Sequence, residues 1–311
     1  LFQTKKKGEN IVMSPDKITE IFYIADNYVK ALEKNGFKKS VVGRKSTITT
    51  SEYLTLLIIK QESSIKTIKS LYEATTNYFR DMFPNVPSYQ QFDEGINKTF
   101  PYLLVLTKII LEINKERPSN YSIADSAPLP ICSNGHRYNL EIDLGLASSS
   151  KNLNGWYYGF KLHIIVNDRL EFVSLKITTA SVKDYNALDE KMTRGITGWL
   201  IGDKGYICAK KAKELAKRGL FLLTRSKTSM KKRPATKLQN FLLSKRQPIE
   251  GVFSKLFFRY SAVTKSARSL TGFFVQVFSA ILVYSLEAKN NPQKLLEYGY
   301  QIALLVEGSI S

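Results

Sequence analysis

"GWLIGDKGYICAKKAKELAKRGLFLLTRS", residues 198–226, reads as strand, helix, strand. The apolar run "GWLIGD" is a short strand ended by Asp203, a helix is expected over 208–218, and "LFLLTRS" (220–226) is a second strand. Upstream, "GWYYGFKLHIIVNDRLEFVSLKITTA" (155–180) reads as two β-runs folded about Asn167-Asp168, a strong hairpin signal. There Phe160, Leu162, Ile164 and Val166 alternate with Lys161 and His163, which fall on the opposite side. "YSIADSAPLP" (121–130) begins as a strand and is stopped by its prolines. "SVKDYNALDEKM" reads as a helix with Ser181 and Asp184 spaced as a capping box, and a long helical region is expected from about 239. Three strands followed by helix, strand, helix, strand imply an α/β (α+β) fold, a mixed sheet flanked by helices. Such sheets bind ligands beyond the C-terminal ends of their strands. Asp125 ends the first strand and Asp203 the fourth, so parallel neighbours would bring the two carboxylates together.

The N-terminal third reads differently. Ser14 is placed to cap a helix with Pro15 at its first position, and Ile18, Ile21, Phe22, Ala25, Tyr28, Val29 and Leu32 recur at helical spacing until Gly36. Further helices are expected after Thr50 or Ser51, over 64–81, and from Ser88 onward with a break at Pro101. The expected organisation is an all-helical domain over 1–118, a mixed-sheet domain over 119–290 and a helical tail over 291–311.

The net charge of +19, with a pI near 9.7, points to a polyanion, nucleic acid ahead of an anionic membrane surface. From Lys204 to Arg268 there are eighteen Lys and Arg against two acids, Glu214 and Glu250. "TRSKTSMKKRPATK" (224–237) is the expected backbone-binding segment, through Arg225, Lys227, Lys231, Lys232, Arg233 and Lys237. Lys204, Lys245, Arg246, Lys255 and Arg259 extend the basic surface, and Lys161 and His163 are further candidates for DNA contact, with a structural histidine as the alternative for His163. Trp156, Tyr157 and Tyr158 are read as core in preference to base-stacking residues. The apolar stretch 272–288 is at the lower edge of spanning length and reads as a buried helix, so no membrane partner is expected. No secretory signal and no nucleotide-binding fingerprint are present. Two cysteines suit a reducing cytosol, and Cys132 with His136 lacks the second ligand pair of a zinc site.

Glu250 lies in "SKRQPIEGVFSKLFFRYSAV", beside an apolar helical stripe of Ile249, Val252, Phe253, Leu256, Tyr260 and Val263, with Arg246 one turn earlier. Each of Asp125, Asp203 and Glu250 alone also fits a cap, turn or ion-pair role. Gathered together, three carboxylates repel and need positive charge between them. Mg²⁺ or Mn²⁺ suits oxygen donors, and two such ions about 4 Å apart activate a nucleophile and stabilise a leaving oxygen at a phosphodiester.

"ADSAPLP", "GDKGY" and "RQPIEGVFS" resemble the three catalytic segments of bacterial insertion-sequence transposases of the DDE class. The resemblance assigns the catalytic and metal-ligating roles to Asp125, Asp203 and Glu250, and implies a ribonuclease-H-like catalytic domain. It departs from the family pattern at Leu243 and Phe257, where many relatives carry tyrosine and lysine. It implies an enzyme that binds the ends of its element, cleaves the DNA and joins the 3′-hydroxyls to target DNA. It also implies Mg²⁺ or Mn²⁺ as cofactor, double-stranded DNA as partner, a homodimer in the DNA complex and a bacterial cytoplasmic, nucleoid-associated location. A nuclease on the same fold and a noncatalytic DNA-binding protein are the alternatives.

Overall fold

Capped amphipathic helices begin the computed structural model, which describes residues 13–37, 46–133, 145–152, 155–226, 235–263 and 269–286. The chain divides into two units, one drawing on Leu1–Ile110 and Leu256–Ser311, the other formed by Leu111–Lys255.

In the first unit, α1 (Pro15–Lys34) starts at Ser14, whose hydroxyl accepts from the Lys17 amide, and ends before Gly36 at positive φ. The cap of α2 (Thr50–Glu62) falls on Thr49, one residue earlier than expected, because Glu52 reaches back to complete a capping box. α3 (Ile68–Tyr78) and α4 (Tyr89–Asn97) follow. The break expected at Pro101 falls just before it, at Lys98 and Thr99, and Pro101 sits in the first turn of α5 (Phe100–Glu116), where no amide donor is needed.

The apolar stretch expected within the catalytic domain belongs elsewhere. α11 (Leu270–Leu286) packs on α2 and α4, so the helical unit is built from both ends of the described chain. Apolar periodicity marks α11 as buried but carries no information on its partner. Its two buried polar residues show the fit: Gln276 Oε1 accepts from Lys60 Nζ at 2.7 Å, and Ser279 Oγ from Gln61 Nε2 at 2.6 Å. No helix among the described residues is long and apolar enough to cross a membrane.

Burial lowers the Lys60 ammonium to a pKa of about 7. Unfolded, Lys60 keeps its proton up to about 10.4. Between those values the unfolded chain binds more protons, so stability rises with pH across that window. Lys60→Met is therefore expected to flatten the stability–pH curve between pH 7 and 9 by about 2 kcal/mol. Urea titrations of both proteins across that range check this, and parallel curves would contradict it.

In the second unit, among the described residues, six strands form one mixed sheet. They are β1 (Tyr121–Ser133), β2 (Ser148–Asn152), β3 (Gly155–Asn167), β4 (Phe172–Thr179), β5 (Gly198–Gly202) and β6 (Leu220–Thr224). β3 is antiparallel to β1 on one edge, and its other edge is shared by β2 and β4. β1, β5 and β6 run parallel in that order. β1 continues through Pro128 and Pro130, against expectation. Its pairing with β5 ends at Ala124, so beyond that point its strand partner among the described residues is β3 alone, and the missing proline donors can face the other edge. Gly159 fits close under that strand, since a Cβ there would meet the Leu129 carbonyl at 2.4 Å.

Both sheet faces are covered. Ala124, Ile165, Leu200 and Leu220 pack with residues of α6 (Asp184–Ala187), α7 (Glu190–Thr193) and α8 (Ala209–Ala216). Ile201 and Leu223 pack on Leu242 of α9 (Lys237–Ser244). The expected long helix is broken at Gln247-Pro248. It resumes as α10 (Pro248–Ser254), which runs into a π-helical turn over Lys255–Arg259.

Candidate active site

The parallel ladder pairs Ile123 with Ile201 and Ala124 with Gly202. Asp125 and Asp203 are the next residues on each strand, so two neighbouring strands deliver carboxylates to one end of the sheet. The local sequence explains the turn after β5. A Cβ on Gly202 would crowd Tyr206 at 3.1 Å, and one on Gly205 would meet Asp184 Oδ2 at 2.5 Å. Tyr206 is fully buried beneath, closing the 3-10 turn Lys204–Tyr206.

α10 supplies the third carboxylate, and Arg246, just before it, gathers all three. Its Nη2 lies 3.4 Å from Asp203 Oδ1 and 3.9 Å from Asp125 Oδ2, and its Nη1 lies 3.5 Å from Glu250 Oε1. These are loose ion pairs around one guanidinium. Asp125 is the enclosed member, its side chain 17 % exposed, whereas those of Asp203 and Glu250 are 52 % and 68 % exposed. Burial raises Asp125 to a pKa of about 6, although the Ser126 amide, donating to its Oδ1 at 2.8 Å, and Arg246 both favour the anion. Among the described residues no three His, Cys, Asp or Glu side chains are drawn together closely enough to hold an ion. The donor set nevertheless fits Mg²⁺ or Mn²⁺: hard carboxylate oxygens, one enclosed and costly to charge, two open to solvent.

Arg246 offsets the repulsion among these acids. Arg246→Ala is expected to tighten Mn²⁺ binding about three- to tenfold, because a competing positive charge leaves a partly screened pocket. Titration followed by electron paramagnetic resonance checks this, and weaker binding would contradict it.

The basic candidates separate into groups. Lys204, Arg225, Lys237 and Arg259 are exposed, and Lys245 and Lys255 are half-buried. Lys245 lies over the Phe241 ring at 4.7 Å. Lys227, Lys231, Lys232 and Arg233 lie outside the described residues, as do His136, Lys265, Arg268 and the tail 291–311. His163 is placed as the structural alternative has it: it is 0 % exposed, its Nε2 is 2.9 Å from the Thr178 hydroxyl, and burial holds it neutral with a pKa of about 4. Lys161 is also committed internally, to Asp184 Oδ1 at 3.1 Å and the Val182 carbonyl at 2.9 Å. Tyr157 and Tyr158 are core as expected, but Trp156 is 60 % exposed, paired with Lys151 near the end of the β2–β3 hairpin.

Asp184 differs most from its sequence reading. Lys183 occupies the N-cap of α6 with no side-chain cap, and the Asp184 carboxylate turns to the sheet to accept from the Ser126 hydroxyl at 2.8 Å. Its proximity to the site had one sequence signal, the second glycine of "GDKGY", where a side chain would strike it.

Residues 115–267 match the family model described as "Transposase DDE domain". The chain carries a DDE transposase domain. That domain contains Asp125, Asp203, Arg246 and Glu250. A solved structure, described as a cryo-EM structure of a piggyBac transposase synaptic complex with hairpin DNA, superposes with a TM-score of 0.52. The two sequences are 10 % identical over 94 % of this chain and 79 % of that one, a likeness of fold. No curated protein matches the chain in sequence.

Proposed function

We propose that this DDE transposase binds the ends of an insertion sequence, hydrolyses the phosphodiester there and joins the freed 3′-hydroxyl to target DNA. Asp125, Asp203 and Glu250 are its catalytic and metal-holding residues on a ribonuclease-H-like domain. The observation that carries this reading is the arrival of two aspartates from adjacent parallel strand ends, and a glutamate from α10, at one guanidinium.

Within that pocket the Ser126 amide holds Asp125 as an oriented acceptor, and the open Asp203 and Glu250 side chains face the solvent from which DNA arrives. Arg246 adds positive charge suited to a non-bridging phosphate oxygen. Asp125, Asp203 and Glu250 would hold Mg²⁺ or Mn²⁺ here, which would supply activation of a water or 3′-hydroxyl nucleophile and charge to offset the leaving oxygen. Lys204, Arg225, Lys237 and Arg259 are exposed cations suited to the DNA backbone, a contact that supplies affinity without choosing sequence. A mobile element has two ends, so the working complex is a homodimer on paired ends. The hairpin DNA held by the similar piggyBac structure supports DNA as the partner.

Incubation of the full chain with labelled element-end DNA, target DNA and Mg²⁺ or Mn²⁺, resolved on a denaturing gel, tests the proposal. Strand-transfer products are expected. Nicked ends alone would leave a nuclease, and intact DNA would leave a binding protein.

A further inference from the structure

The ladder between β1 and β5 stops at Ala124 and Gly202, one residue short of each aspartate. Strand pairing brings Asp125 and Asp203 side by side but includes neither residue, so the ladder alone does not fix their final separation. Another group bridges the segments just beyond them.

Asp184 is hydrogen-bonded to the first segment and lies close against the second. Its Oδ1 accepts from the hydroxyl of Ser126, the residue after Asp125, at 2.8 Å. The Ser126 amide meanwhile donates to Asp125 Oδ1, so one residue links the two carboxylates. Asp184 Oδ2 faces Gly205, two residues after Asp203, closely enough that an added Cβ would lie 2.5 Å away. Lys161 on β3 donates to Oδ1 and to the Val182 carbonyl, fixing the carboxylate against the sheet. Alternation along β1 puts Ser126 on the face opposite Asp125. Asp184 thus supports the site from beneath.

We propose that Asp184 is a positioning residue that sets the separation of Asp125 and Asp203 by hydrogen-bonding Ser126 on β1 while packing against the turn at Gly205. This rests on the metal-holding role proposed above for those aspartates. Groups that orient metal ligands in this way typically alter metal affinity about 10–100-fold when removed.

The test is Mn²⁺ binding by the full chain, followed by electron paramagnetic resonance, with thermal unfolding and DNA-end cleavage measured on the same samples. Asp184→Ala is expected to weaken Mn²⁺ binding about tenfold or more and to lower kcat while leaving KM for DNA unchanged. Asp184→Asn keeps an oxygen to accept from Ser126 and is expected to stay within about threefold of wild type. Should Asp184→Ala fail to fold, Ser126→Ala removes only the hydroxyl end of the tie and is expected to weaken binding about three- to tenfold. If Asp125→Asn abolishes Mn²⁺ binding while the folded Asp184 and Ser126 variants bind within about twofold of wild type, the positioning role falls and the site stands. A wild-type chain that takes up no Mn²⁺ overturns both.

Discussion

Asp203→Asn is expected to lower cleavage of element-end DNA about a thousandfold or more, equivalent to about 4 kcal/mol of transition-state stabilisation. The substitution preserves shape and removes the negative charge that Arg246 faces at 3.4 Å. Asp125→Asn and Glu250→Gln should behave alike, because each withdraws an anionic oxygen from the same pocket. Affinity for the DNA should change by less than about threefold, since phosphate contacts supply most of it and come from exposed cations elsewhere on the chain. Cleavage on a denaturing gel and binding by mobility shift separate the two quantities. An Asp203→Asn protein that cuts at the wild-type rate would assign Asp203 to the turn alone.

The largest expected effect on stability lies in the helical unit. Gly95 on α4 faces Tyr53, and an added Cβ would stand 2.1 Å from the ring's Cζ. Tyr53 is fully buried and packed edge-on against Phe92, which meets Tyr72 in the same way. Alanine improves helix propensity by about 1 kcal/mol over glycine. Displacing a fully buried ring packed on Phe92 costs about 3 kcal/mol, so the clash wins. Gly95→Ala should therefore destabilise the protein by about 2 kcal/mol in urea unfolding. A gain in stability would mean that the ring moves freely.

Much of the candidate site's geometry is legible in the sequence because its signals are local. An apolar run ended by an aspartate and followed by a helix and another apolar run implies parallel strands, and the pairing of Ala124 with Gly202 brings the two aspartates side by side. Glu250 was legible beside its apolar stripe, and Ile249, Val252 and Leu256 of that stripe are buried. Several other features depended on distant partners. β2 is "SSSKN", without apolar alternation, and is a strand because β3 offers it an edge. His163 follows the expected alternation on β3, yet both faces of this sheet are covered, so its polar side does not point to solvent. Asp184 stands three residues after a serine at a helix start, the spacing of a cap. Its bond to Ser126 arises from sequence fifty-eight positions away and leaves no local trace.

The most direct measurement is diffraction at the manganese absorption edge from crystals of the full chain with element-end DNA and Mn²⁺. An anomalous peak is expected about 2.2 Å from oxygens of both Asp125 and Asp203, with Glu250 facing the same pocket. Manganese bound elsewhere, with any of the three side chains more than about 10 Å from the other two, would contradict a shared metal-holding site.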